Sequence, residues 1–378
     1  MWLRGQCQTE ILIFKYTINF KTKKMKKIIL SSFVMLLLVF SCSNDDDMTS
    51  SAPLGDYEDG ILIVGEGGFT TSGTVSFVSN DLMTSENGVF FNVNAEDIGS
   101  FFQSIGFNDS SAYLVVDNGT ITVANRYTME KTGAITAGLS SPRYIAFSNG
   151  KGYASNWGDP NDTADDFIAV IDLVSNTVET TIPVSFGPEQ VMASGNKLFV
   201  SHKGAYGINN LVSVINTNDN SVDTIALDDK PDEMIINNAG NLVVLSEGAT
   251  LYDMDFNVIG HTGASLNTIN ISDNSVMSTL SFEESEHPSL MSYDNGTLYY
   301  VLANKVYSLT DSDVVLPSNS IIDLTVGYAY GMGVKDNSLY INDASFSGQS
   351  SFVVYDLNSL TMTNSFDVAL AASKIYFN

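Results

Sequence analysis

The chain holds three histidines, His202, His261 and His287, and two cysteines, Cys7 and Cys42. Neutral imidazole is a common transition-metal ligand, so His202 and His287 are candidates to approach a metal. A lone histidine at a strand end also serves as an ordinary surface residue. The stretch "DPNDTADD" (159–166) offers oxygen ligands from Asp159, Asn161, Asp162, Asp165 and Asp166. Calcium takes six to eight oxygens, which makes Asp159, Asp162 and Asp165 candidate ligands. The spacing matches no known calcium loop, and a solvated acidic loop accounts for the same residues. No HExxH, GxSxG, Gly-rich phosphate loop or EF-hand pattern is present, and no cofactor fingerprint. A serine–histidine pair would have to be assembled in space.

The elements that must position these residues repeat. "VIDLVSNTV" from Val170 returns as "VINTNDNSV" from Val214 and "TINISDNSV" from Thr268. Each reads as a strand, a polar turn and a second strand, with turn residues that tolerate positive φ. The short polar residue closing the first strand is Ser79, Asn125, Asp172, Asn216, Asn270, Thr310 and Asp356 in turn, at spacings of 46, 47, 44, 54, 40 and 46. Seven units of this length predict an all-β, seven-bladed β-propeller with four antiparallel strands, A to D, in each blade. "SPRYIAFS", "GPEQVMAS", "KPDEMIIN" and "HPSLMSYD" read as A strands, each with a proline near its start, where no ladder N–H is lost. The first repeat, "GILIVGEG", lacks an A strand before it, and the last, "ASKIYFN", lacks a B strand after it. Joining the two halves closes the ring over residues 60–378.

Upstream lies processing rather than fold. "MKKIILSSFVMLLLVFSC" from Met25 has two lysines, an apolar run too short to span a bilayer comfortably, and a cysteine. It resembles a lipoprotein signal over 25–41, with Cys42 as the lipidated mature N-terminus and the membrane contact made through that anchor. Residues 1–24 read as a miscalled upstream extension, and 42–59 as an acidic flexible tether. Seven of the 17 basic residues lie in 1–41, which leaves 10 basic against 42 acidic residues, a net charge of −32. A surface so acidic repels phosphate backbones, so nucleic acid is excluded as a partner. With Cys7 upstream and Cys42 acylated, no disulfide framework or cysteine nucleophile remains.

Propeller specificity resides in loops, and the B–C and D–A loops share the face around the channel mouth. Long B–C loops are expected at 65–73, 155–166, 201–210, 247–263 and 343–351. They carry Phe69, Trp157, Tyr206, Tyr252 and Phe346, with Tyr328 and Tyr330 in "YAYG" beside them. Aromatic faces bury area without charge and suit a bulky, largely planar ligand. Packing of each ring on its own loop base is the competing reading. Near the mouth the D–A loops add Arg143, Glu189, Asp232, Glu233, Glu283, Glu284 and His287.

The rhythm of 142–184 and 188–227 resembles that of YncE-like propellers. The stretch "YAYGMGVKDNSLYINDASFSGQSSFVVYDLNSLTMTNSFDV" is similar to a final-blade domain of Bacteroidota surface lipoproteins. The resemblance implies a cobalamin-capturing lipoprotein that partners a TonB-dependent outer-membrane transporter. On that reading the acids after Cys42 direct export to the outer face of the outer membrane; the alternative is the periplasmic face. Aromatic loops would meet a corrin ring, polar mouth residues its amides, and His202 or His287 an axial position of its cobalt. Two other readings stay open: a lyase- or lactonase-type propeller enzyme with a channel-mouth metal, and a cell-surface protein–protein scaffold.

Overall fold

The computed structural model describes residues 53–378. The expected signal at 25–41, Cys42 and the upstream extension lie outside the described residues. Seven four-stranded antiparallel sheets form seven blades. Blade three runs Pro142–Ser148, Lys151–Asn156, Phe167–Asp172 and Thr177–Pro183, in the predicted order A to D. Its two middle strands are buried along nearly their whole length, because a neighbouring blade covers each face of the sheet. The outermost strand is exposed at most positions. That arrangement explains the unbroken apolar runs of the B and C strands, since alternation fades when both faces are covered. The cores accordingly lie between blades: Tyr153, Ile168 and Val170 of blade three, for example, meet Leu198, Val200 and Ile215 of blade four.

The polar residues that set the repeat cap their own turns. Asp172 Oδ1 accepts the N–H groups of Val174 (2.9 Å) and Ser175 (2.7 Å), and Asp356 Oδ1 those of Asn358 and Ser359. Asn216 and Asn270 do the same two residues on. The hairpins close through Asn176, Asn220 and Asn274, all at positive φ.

The ring closes as the termini predict. Ala372–Phe377 pairs antiparallel with Gly60–Gly65, with Ile61 opposite Phe377 and Ile63 opposite Ile375. At the next blade Gly331 lies beneath this strand. A Cβ there would stand 1.9 Å from the Ser373 carbonyl oxygen, so only glycine lets the two inner strands approach.

Three features depart from the expected pattern. The last residues assigned to the flexible tether are folded: Tyr57 is buried, meets Phe77 edge-on at 5.3 Å, and donates its N–H to the Tyr127 carbonyl at 2.9 Å. Burying that ring offsets the entropy of ordering the segment. The long blade-five loop contains its own hairpin, Thr250–Tyr252 with Val258–His261. The outer strands of blades one and six shrink to two residues each, Ser85–Glu86 and Ile322–Asp323. Blade one compensates with a short helix, Val89–Asn94, whose Val89 and Phe90 are buried.

Candidate functional site

Every inner strand of the ring carries a register shift near its start, for example between Pro142 and Ile145, Pro188 and Val191, and Pro231 and Met234. A bulge lets two consecutive residues escape strict alternation and re-aims their side chains. Here it brings Arg143 with Tyr144, Glu189, and Asp232 with Glu233 to the channel mouth. The B–C loops contribute a second set. Glu66, Lys203 and Glu247 each follow a B strand and precede a glycine at positive φ, Gly67, Gly204 and Gly248. The closing strand adds Ser373 and Lys374, and blade seven adds Tyr328 and Tyr330. Together they line a cavity of about 260 Å³. A deeper chamber of about 460 Å³ continues down the channel past Tyr144, Gln190 and Tyr376.

The mouth is a network of paired charges. Lys203 Nζ lies 2.6 Å from Asp232 and 3.0 Å from Glu247. Lys374 reaches across the channel to Glu233 at 3.3 Å, and Arg143 meets Glu189 at 3.3 Å and Asp117 at 3.9 Å. Burial disfavours the charge on Lys203, but Asp232 and Glu247 outweigh it and hold the ammonium far above its usual range. Burial likewise opposes the Asp232 carboxylate, and Lys203 with Lys374 overrides that and keeps it low. Glu247 has the weaker share: burial pushes it up to about 7 despite Lys203. Burial also raises Glu66, against the nearby Lys374 ammonium, and raises Glu189 against Arg143.

The residues singled out in the sequence divide into three groups. Arg143, Glu189 and Tyr330 line the mouth, and Tyr328, Tyr330 and Phe346 form an aromatic corner with centroids 5.6–5.9 Å apart. Phe69, Tyr206 and Tyr252 are exposed in the loops, Phe69 at 93% and Tyr206 at 78%. Phe69 meets the Phe101 ring edge-on at 5.0 Å, and Tyr206 meets the edge of Trp157 at 5.9 Å. The blade-five hairpin adds Met254 and Phe256 as further bare apolar side chains.

The rest are occupied elsewhere. Trp157 is buried: its Nε1 donates to the Pro188 carbonyl at 3.0 Å, and Arg143 lies over its ring at 3.9 Å. It positions Arg143 from behind instead of facing a ligand. His202 is fully buried between Ser213 Oγ (2.8 Å) and the Phe186 carbonyl (3.3 Å), and burial lowers it to about 4. Both of its ring nitrogens are used, so it is a core histidine and not a ligand. His287 is held by the Glu247 carbonyl (3.0 Å) and by His261 (2.9 Å), at the base of the hairpin. The calcium candidates turn inward onto their own loop. Asp159 caps Asn161, Asp162 caps Ala164, and Asp165 accepts the Asp159 N–H. Among the described residues no three His, Cys, Asp or Glu side chains converge as a metal site.

The class so defined is a seven-bladed propeller whose channel mouth is a buried, internally paired polar network under an aromatic rim. Residues 59–376 match the family described as a domain of unknown function (DUF5074), and the chain belongs to it. No curated protein matches the sequence. Among solved structures the chain is similar to a putative 6-phosphogluconolactonase from Bacteroides fragilis NCTC 9343, with TM-score 0.60 and 13% identity over 87% of this chain and all of that one. It is also similar to dihydro-heme d1 dehydrogenase NirN in complex with DHE, with TM-score 0.53 and 11% identity over 86% of this chain and 77% of that one. The computationally designed Ika8 protein gives TM-score 0.53 and 11% identity, over 86% of this chain and 93% of that one. Likeness at this identity shows the shared fold.

Proposed function

We propose that the chain is a non-enzymatic binder that holds cobalamin or a related corrinoid across the loop-rich face. It would be tethered to the outer membrane through Cys42 and release its ligand to a TonB-dependent transporter there. One observation carries the reading: a mouth rich in both donors (Arg143, Lys203, Lys374) and acceptors (Glu66, Glu189, Glu247) lies on the same face as the exposed rings of Tyr206, Tyr328 and Phe346. A corrin is too broad for a 260 Å³ cavity, so it would lie over the mouth with amide arms reaching inward. Aromatic faces would support its plane. Calorimetric titration of the purified protein with cyanocobalamin tests this. Saturable heat at micromolar ligand, weakened by Tyr206→Ala and Tyr328→Ala, supports it; no heat refutes it.

A second reading rests on Glu247. A carboxyl near neutrality inside a cavity is suited to proton transfer. On that reading the mouth is a catalytic site of lactonase type. Hydrolysis of 6-phosphogluconolactone above the uncatalysed rate, abolished by Glu247→Gln, would support it.

A further inference from the structure

We propose that the outer edge of blade six docks an extended segment of a partner protein, which adds as the strand that this blade lacks. Its C strand, Lys305–Thr310, pairs with an outer strand only at Lys305 and Val306. The outward-facing residues of a strand alternate. Val306 faces outward, since its carbonyl accepts the Ile321 N–H at 2.8 Å. Ser308 and Thr310 therefore face outward too. Thr310 is closed off by Asp313, which accepts the Thr310 N–H at 2.6 Å and donates its own N–H to the Thr310 carbonyl at 3.0 Å. Among the described residues Ser308 is left without a backbone partner on its outward side, beside the inward-bonded Tyr307 and Leu309.

The missing strand leaves a groove of about 510 Å³ between blades five and six. Its floor is apolar, with Val243 and Leu266 from blade five and Leu298 and Leu309 from blade six. Its rim is acidic, with Asp311 and Asp313. The following segment covers it only in part: Leu316 packs against the same core, while Val314 and Val315 are 80% and 71% exposed. The repeat itself says what shape fits. Blades two to five and blade seven fill the equivalent place with a strand of five to eight residues, and blade one fills it with its short helix. The occupant is thus an extended peptide. Backbone pairing at Ser308 would align it, one apolar side chain would enter the groove, and a flanking lysine or arginine would meet the acidic rim. The site is independent of the channel mouth.

The probe is a fluorescein-labelled octapeptide, Lys-Thr-Val-Thr-Leu-Thr-Val-Lys, titrated against the purified full chain by fluorescence anisotropy. Saturable binding is expected, weakened at least tenfold by Ser308→Pro and at least threefold by Met277→Lys, whose ammonium repels the lysines of the probe. The proline removes an outward N–H and spares the inner ladder; Met277 is an exposed residue on the groove wall. Unchanged circular dichroism and melting of both variants serve as the folding control. No saturation by ~1 mM peptide, or equal binding by wild type and both variants, overturns the proposal. A wild-type dimer that Ser308→Pro converts to monomer, seen by sedimentation, assigns the edge to a second copy and also overturns it.

Discussion

Replacing Lys203 by methionine removes the cation between a buried carboxylate, Asp232, and a half-buried one, Glu247. Asp232 and Glu247 lie 2.6 and 3.0 Å from its ammonium, and among the described residues neither has another cation within 4 Å. Taking one partner from a buried pair costs about 3–5 kcal/mol. Lys203 retains 31% side-chain exposure to the mouth, so water screens part of this, and ~3 kcal/mol is expected at pH 8. For a domain of this length that is a fall of about 4 °C in melting temperature. The loss has a pH signature. Without Lys203 both carboxyls move up, so the folded protein binds protons more tightly than the unfolded chain. Stability then falls as pH rises from the ordinary carboxylate range, about 4, through the raised values. At pH 5 the variant should be only ~1 kcal/mol below wild type, because proton uptake relieves the repulsion. Urea denaturation at pH 5 and pH 8 measures both numbers. Equal losses at the two pH values, or a loss under ~1 kcal/mol at pH 8, would refute the pairing described.

Other outcomes follow from the same geometry. His202 titrates well below its unfolded value, so stability is lost as pH falls from about 6.5 toward 4; His202→Gln should lessen that acid sensitivity by ~3 kcal/mol, read from melting curves between pH 7 and 4. Trp157→Ala should destabilise by ~3–5 kcal/mol in chemical denaturation, whereas Tyr206→Ala, on an exposed ring, should change stability by under ~0.5 kcal/mol. Truncation after Ala371 removes the closing strand and bares one edge of Gly60–Gly65; the product should aggregate in size-exclusion chromatography instead of eluting as a folded monomer. Chelator should leave the melting temperature unchanged, since Asp159, Asp162 and Asp165 already bond their own backbone.

The ring was legible because its signals are local. Asp172, Asn216, Asn270 and Asp356 recur since each turn needs a side-chain oxygen for its own N–H groups. The unmatched end strands announced the closure. Half of the mouth could be read as well: Arg143, Glu189, Asp232 and Glu233, which follow inner-strand prolines, sit where the bulges fall. The other half had a signal that spacing alone obscured. Glu66, Lys203 and Glu247 each stand between the end of a B strand and a glycine, and only a blade-by-blade overlay aligns them. His202 and Trp157 misled because type does not reveal facing. His202 occupies the same ladder position as Asn156 and Ser246, each opposite an inner-strand proline and each buried. That company marks it as a small-polar core position. Burial of Trp157 depends on the Pro188 carbonyl of the next blade, a long-range contact that no local pattern encodes.

Lys374 and Ser373 come from the last seven residues of the chain. The mouth is therefore finished only when this closing strand docks. Until then Glu233 faces the channel without its cation, and the first strand waits unpaired on one side. Ring closure and completion of the mouth are thus one event, and a product that lacks this strand lacks both.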